Sequence, residues 1–214
     1  MFRIKKEAPI LYKAFIEKQR EKLQAEWKEQ EKIGRGTRKE VSYDRTKEIY
    51  VTSLFHGCGT TYLSTILATF LSNYYEGKIC LIETKGLKEE LTNIPIDVFT
   101  YPYDIGMLDK KMYDVLIRDV GVFSKDVSNE FWNADLKCII SWPDEISLAH
   151  LASFVQQTEG AENFLYFFNL VPKDRENFIL NLMKDYPTVI LPCTSRKKLE
   201  KELIKKLYKI FEEE

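Results

Sequence analysis

The chain has 214 residues, 44% of them hydrophobic and 30% charged, with a formal net charge of -1. This is the balance of one soluble globular domain, and it gives no global attraction to nucleic acid. Four cysteines without a C-x-x-C pair and only two histidines argue against a disulfide framework and a histidine-based zinc site. Buried thiols in a reducing, cytoplasmic compartment are the expectation.

No run reaches the roughly 20 apolar residues of a membrane helix, and no apolar stretch follows the basic residues at the N-terminus. Neither a membrane span nor a signal peptide is expected.

Residues 1–47 read as a charged helical arm and linker. Leu11, Phe15, Leu23 and Trp27 fall near helical spacing, and Gly34 and Gly36 stop the helix. The stripe is too sparse for a coiled coil. The arm either packs on its own domain or serves a partner.

From residue 48 to 214 short apolar runs alternate with amphipathic stretches. Strands are predicted at Ile49–Phe55, Lys78–Glu83, Ile96–Thr100, Val115–Asp119, Lys137–Trp142, Asn163–Asn169 and Thr188–Leu191. Helices are predicted at Thr61–Tyr75, Ser124–Asn133, Glu145–Thr158, Lys173–Lys184 and Arg196–Glu212. Near-continuous apolar strands alternating with helices specify a doubly wound α/β domain, with a mostly parallel sheet and helices on both faces.

In such a sheet, ligands bind beyond the carboxyl ends of the strands. The first predicted strand leads into Gly57-Cys58-Gly59-Thr60-Thr61 and then directly into a helix. Glycines let the backbone approach a phosphate, the helix start offers free N–H groups, and either threonine hydroxyl is placed to ligate magnesium. Three other strands end on polar residues: Glu83, Asp119 and Asn169.

The order of these features resembles that of the ParA/MinD-type ATPases, the deviant-P-loop branch of P-loop proteins. The matching stretches are Gly57-Cys58-Gly59-Thr60-Thr61, Gly77-Lys78 through Glu83, Tyr113-Asp114 through Asp119, and Asn169. The resemblance implies a P-loop fold, ATP or ADP with Mg²⁺ as ligand, Thr61 and Asp119 at the metal, and Asn169 at the base. It also implies self-association or a protein partner, in settings such as plasmid or chromosome partitioning, positioning of a membrane complex, mobile elements or secretion.

The chain departs from that family where charge matters most. Family members carry two lysines in K-G-G-x-G-K-[ST]; this chain has Phe55 and Thr60 at those positions. Each lost charge-assisted contact removes roughly 1.5–3 kcal/mol. Lys85 stands where the family has an acid that orients the attacking water. Two readings stay open: Lys85 partly replaces the missing cation and the site binds nucleotide without efficient hydrolysis, or the pocket is empty and the fold is a pseudo-ATPase scaffold. No nucleophile–base set supports an enzyme of another class.

Among the remaining features, Trp142 is expected to pack rather than stack on a base, and His56 to be a turn residue. The last predicted helix carries an apolar face through Leu199, Leu203, Leu207 and Phe211 with lysines elsewhere. Covering the sheet is favoured over membrane contact, because Glu212, Glu213 and Glu214 would repel anionic lipid.

Overall fold

The computed structural model describes residues 45–74, 77–84, 96–124, 129–158 and 163–192. The arm over residues 1–44, Lys85, Cys193 and the last predicted helix lie outside the described residues.

Seven strands form one sheet: β1 (Lys47–Ser53), β2 (Ile79–Glu83), β3 (Asp97–Thr100), β4 (Val115–Val122), β5 (Leu136–Ser141), β6 (Phe164–Val171) and β7 (Thr188–Pro192). Their order is β3-β2-β4-β1-β5-β6-β7. Every pairing is parallel. The helices are α1 (Thr60–Tyr74), α2 (Asn129–Trp132), α3 (Glu145–Gln157) and α4 (Glu176–Leu182).

The strand order explains why the helices divide between two faces. The connection from β1 to β2 runs one way along the sheet, while those leaving β4, β5 and β6 run the other way. With right-handed crossovers, the two directions place their helices on opposite faces. The cores agree: Leu63, Leu67, Ala68 and Leu71 of α1 pack with Val51, Ile117 and Ile140. On the other face Leu148, Leu151 and Phe154 of α3 and Ile179 of α4 pack with Tyr50, Ile139, Phe168 and Ile190. Successive residues of a strand therefore feed different cores, as the two-residue period requires. Central strands such as β2 are buried at all five positions.

Two predicted helices differ in the structure. Ser124 is not helical, and the described part of α2 is a single turn carrying Phe131 and Trp132. Its anchor is aromatic: Phe131 contacts Phe123 edge-on at 5.2 Å and Trp132 at 5.1 Å. The segment predicted at Lys173–Lys184 opens as a 3₁₀ turn, Lys173–Arg175, after Pro172 and becomes α-helical only from Glu176. Proline fixes the entry and short 3₁₀ turns are common at helix starts. α3 follows prediction closely because Asp144 caps it, accepting from the Ser147 N–H at 3.0 Å and the Ser147 hydroxyl at 2.6 Å.

Two strands run past the polar residues expected to end them. β4 continues three residues beyond Asp119, with a register shift against β1 and Gly121 at φ +72°. β6 continues two beyond Asn169, with a register shift against β7 and Leu170 at φ +54°. These irregularities are bulges, which bend a strand and re-aim a side chain.

Candidate functional site

β1 and β4 are neighbours whose onward connections leave in opposite directions, so their carboxyl ends meet at a topological switch point. The glycine turn sits there. It begins as the Ser53 hydroxyl donates to the Phe55 carbonyl at 2.7 Å, and it turns through Gly57 at φ +81° and Gly59 at φ +101°. Both values are in the region that favours glycine.

Gly59 is constrained by space as well as by angle. A Cβ built on it would lie 2.9 Å from Nδ2 of Asn169. That amide donates to the Cys58 carbonyl at 2.8 Å, so β6 touches the turn directly. Asn169 stands at the bulge after Phe168, two residues beyond Phe167 of the α1-side core, and the strained Leu170 follows it. Asn169 is 7% exposed, and its Oδ1 is buried without a hydrogen-bond partner. Buried carbonyl oxygens of this kind are uncommon, since leaving one unpaired costs about 1–3 kcal/mol.

Thr61 and Asp119 also meet. The Thr61 hydroxyl donates to Oδ2 of Asp119 at 2.5 Å, the length of a charge-assisted O–H···O⁻ bond. Oδ1 of Asp119 accepts from the Gly121 N–H at 3.0 Å, so the β4 bulge orients the carboxylate. Asp119 is fully buried.

The other turn residues are held by packing and hydrogen bonds. Cys58 is buried, and burial, with Asp144 adding to it, raises its thiol pKa. Thr60 starts α1 and is buried; its carbonyl accepts from the Ser64 hydroxyl at 2.8 Å. Phe55 packs against the apolar core and meets His150 edge-on at 4.9 Å. His56 is exposed, and Trp142 packs on the same core.

Glu83, a strand-end carboxylate, accepts from the Thr100 hydroxyl at 2.7 Å and so bridges β2 to β3. The paired stretches Gly77-Lys78 and Tyr113-Asp114 belong to the opposite end of the sheet. There Asp114 accepts from the Lys78 N–H at 2.7 Å, and its Oδ2 lies 3.0 Å from where a Gly77 Cβ would stand. Their role is to fasten the starts of β2 and β4. Lys85, the remaining candidate, lies outside the described residues.

Among the described residues no three His, Cys, Asp or Glu side chains converge as a metal cage. A hydroxyl and a carboxylate beside a glycine turn instead suit a hard cation that takes its remaining ligands from phosphate oxygens and water.

The Asn169–Cys58 bond and the two bulges were not read from the sequence. Gly121, a glycine within an apolar strand, is the signal for the first; Leu170 carries none for the second.

No family model matches the sequence, and no curated protein matches it significantly. Solved structures do match. A plasmid partition protein from Borrelia burgdorferi aligns at a TM-score of 0.59 with 17% identity, covering 79% of this chain and 99% of that one. A putative plasmid partition protein from Borrelia burgdorferi bound to AMPPNP aligns at 0.59 with 16% identity, over 79% and 99%. A chain of the MinC:MinD cell division protein complex from Aquifex aeolicus aligns at a TM-score of 0.57 with 15% identity, over 78% and 97%. At these identities the likeness is one of fold: the chain has the α/β fold of the ParA/MinD-type P-loop ATPases.

Proposed function

We propose that this protein is a degenerate ParA/MinD-like P-loop subunit that acts through protein–protein interaction and hydrolyses nucleotide weakly or not at all. The observation that carries the reading is the identity of the residues flanking the turn. Phe55 is committed to apolar packing and Thr60 is buried at the first position of α1, where the family has lysines. Phosphoryl transfer depends on cations to stabilise developing charge. A turn with glycines but neither lysine keeps the shape of a phosphate cradle and loses most of its electrostatics.

A second reading, a nucleotide-dependent switch, is favoured by the Thr61–Asp119 pair. If MgATP or MgADP binds, Thr61 and Asp119 would hold the metal, and the N–H groups of residues 57–61 at the start of α1 would meet the phosphates. The buried Oδ1 of Asn169 would gain a donor from whatever enters beside Gly59. The metal would spread phosphate charge; the chain's own part is to orient the ligand and exclude water.

Calorimetry with ATP and magnesium separates the readings. Heat that saturates and is lost in Asp119→Asn, with turnover indistinguishable from uncatalysed hydrolysis, supports a binding but silent subunit. No heat at millimolar nucleotide removes the switch and leaves the scaffold. Turnover of roughly 1 s⁻¹ or faster that Asp119→Asn abolishes would overturn the first reading.

A further inference from the structure

The strand that carries Asp119 toward the glycine turn carries Arg118 to the other face of the sheet. There a cavity of about 520 Å³ opens beside β4, bordered by Arg118, Tyr50, Tyr101, Lys110, Ser124 and Glu130. That volume is within the range of small-molecule pockets. Leu116, two residues before Arg118, is buried on this face with Cys80 and Ile82, whereas Ile117 packs with the α1 core on the face opposite. No residue of the glycine turn borders the cavity, although Asp119, which pairs with Thr61 at the turn, does.

Arg118 is held in place before any ligand arrives. Its guanidinium lies 5.5 Å from the centre of the Tyr50 ring and 5.4 Å from that of Tyr101. Nη1 donates to the Tyr50 hydroxyl at 3.1 Å and to Glu130. Burial alone would lower its pKa; the bonds and charges of Tyr50 and Glu130 outweigh that and raise it. All of its described hydrogen bonds use Nη1, so the Nε–Nη2 edge keeps its donors. This edge is the fork that takes a carboxylate or phosphate in two parallel bonds. Lys110 adds a second positive charge at the rim, where it pairs with Glu48 at 2.8 Å, and Ser124 adds a hydroxyl. Arg118 follows the apolar run Val115-Leu116-Ile117 and is itself mostly withdrawn from solvent, while its ion-pair partner Glu130 is half-exposed.

We propose that this cavity is a binding site for a small organic anion, gripped at a carboxylate or phosphate group by the Nε–Nη2 edge of Arg118. The ligand's remaining atoms lie along the Tyr101 ring and Ser124.

The test is a titration of the full chain, at constant ionic strength, with succinate and separately with inorganic phosphate, followed by NMR. The expected result is a saturable shift of the Arg118 Nε–H resonance, with a midpoint of roughly 1 mM or below for one of the two probes. The amides of Gly57 and Gly59 should stay in place, which separates this site from phosphate capture at the turn. Arg118→Lys keeps the charge but removes the fork, and should weaken binding about tenfold. A linear, unsaturated response of Nε–H to both probes would overturn the proposal. So would movement of the glycine amides alone, or undiminished affinity in a folded Arg118→Lys protein.

Discussion

The side-chain amide of Asn169 donates to the main-chain carbonyl of Cys58 at 2.8 Å and lies within 2.9 Å of any Cβ placed on Gly59. One contact thereby joins β6 to the turn that follows β1, two strands away across β5. It makes the turn's shape a property of the sheet rather than of the local sequence.

Gly59→Ala should destabilise the protein by about 2 kcal/mol, because alanine is strained at φ +101° and its methyl collides with the Asn169 amide. Denaturant unfolding checks this. Adding Asn169→Ala removes the collision but not the backbone strain, so the cost of Gly59→Ala in that background should fall by part and not vanish. Equal costs in both backgrounds would mean the amide does not constrain the turn.

Thr60→Lys tests whether lost charge is what limits the turn. Restoring one charge-assisted phosphate contact should raise ATP affinity roughly tenfold to a hundredfold. Calorimetry of the variant beside the parent measures it. An unchanged or absent affinity would argue that the fold no longer admits nucleotide.

Asp144 supplies a pH-dependent contribution. The Ser147 hydroxyl and then the Ser147 N–H hold its pKa below the ordinary carboxylate value of 3.8. A depressed folded-state pKa means the stabilisation is present above the unfolded value and lost as pH falls through the folded one. Asp144→Ala should therefore cost about 1 kcal/mol at neutral pH through loss of the α3 cap. The gap from the parent should narrow as pH falls below the ordinary value of 3.8. Chemical unfolding at pH 7 and pH 3 reads the difference; a gap that widens in acid would contradict the assignment.

The thiols should report the packing of the core. Cys58, Cys80 and Cys138 are buried, and burial raises all three, Cys80 to about 12. With four cysteines in the chain, a thiol reagent at pH 8 should modify at most one in the native protein and all four in denaturant. Rapid modification of two or more native thiols would show that the sheet opens locally.

The alternation of apolar runs with amphipathic stretches determined the strands and, among the described helices, Thr60–Tyr74 and Glu145–Gln157, because a two-sided buried strand needs apolar residues at every position. It placed all seven strands within a few residues and indicated that Gly57, Thr61, Asp119 and Asn169 stand at strand ends. That much is local, written in composition and order. What the tertiary structure decided is where those side chains point. The Asp119 and Asn169 strands run on past the expected ends through bulges at Gly121 and Leu170, and the two side chains share the α1 face with Ile117 and Phe167, two residues before each. The pairing of Thr61 with Asp119 joins residues 58 apart in sequence, and that of Asn169 with Cys58 joins residues 111 apart. No local pattern encodes such a bond, since it exists only once β1, β4, β5 and β6 share one sheet. The same holds for Gly77 and Asp114, whose order suggested chemistry and whose contact proves to be a clasp at the far end of the strands. Arg118 is the reverse case: beside Asp119 in the chain, it is sent to the opposite face by the strand's two-residue period.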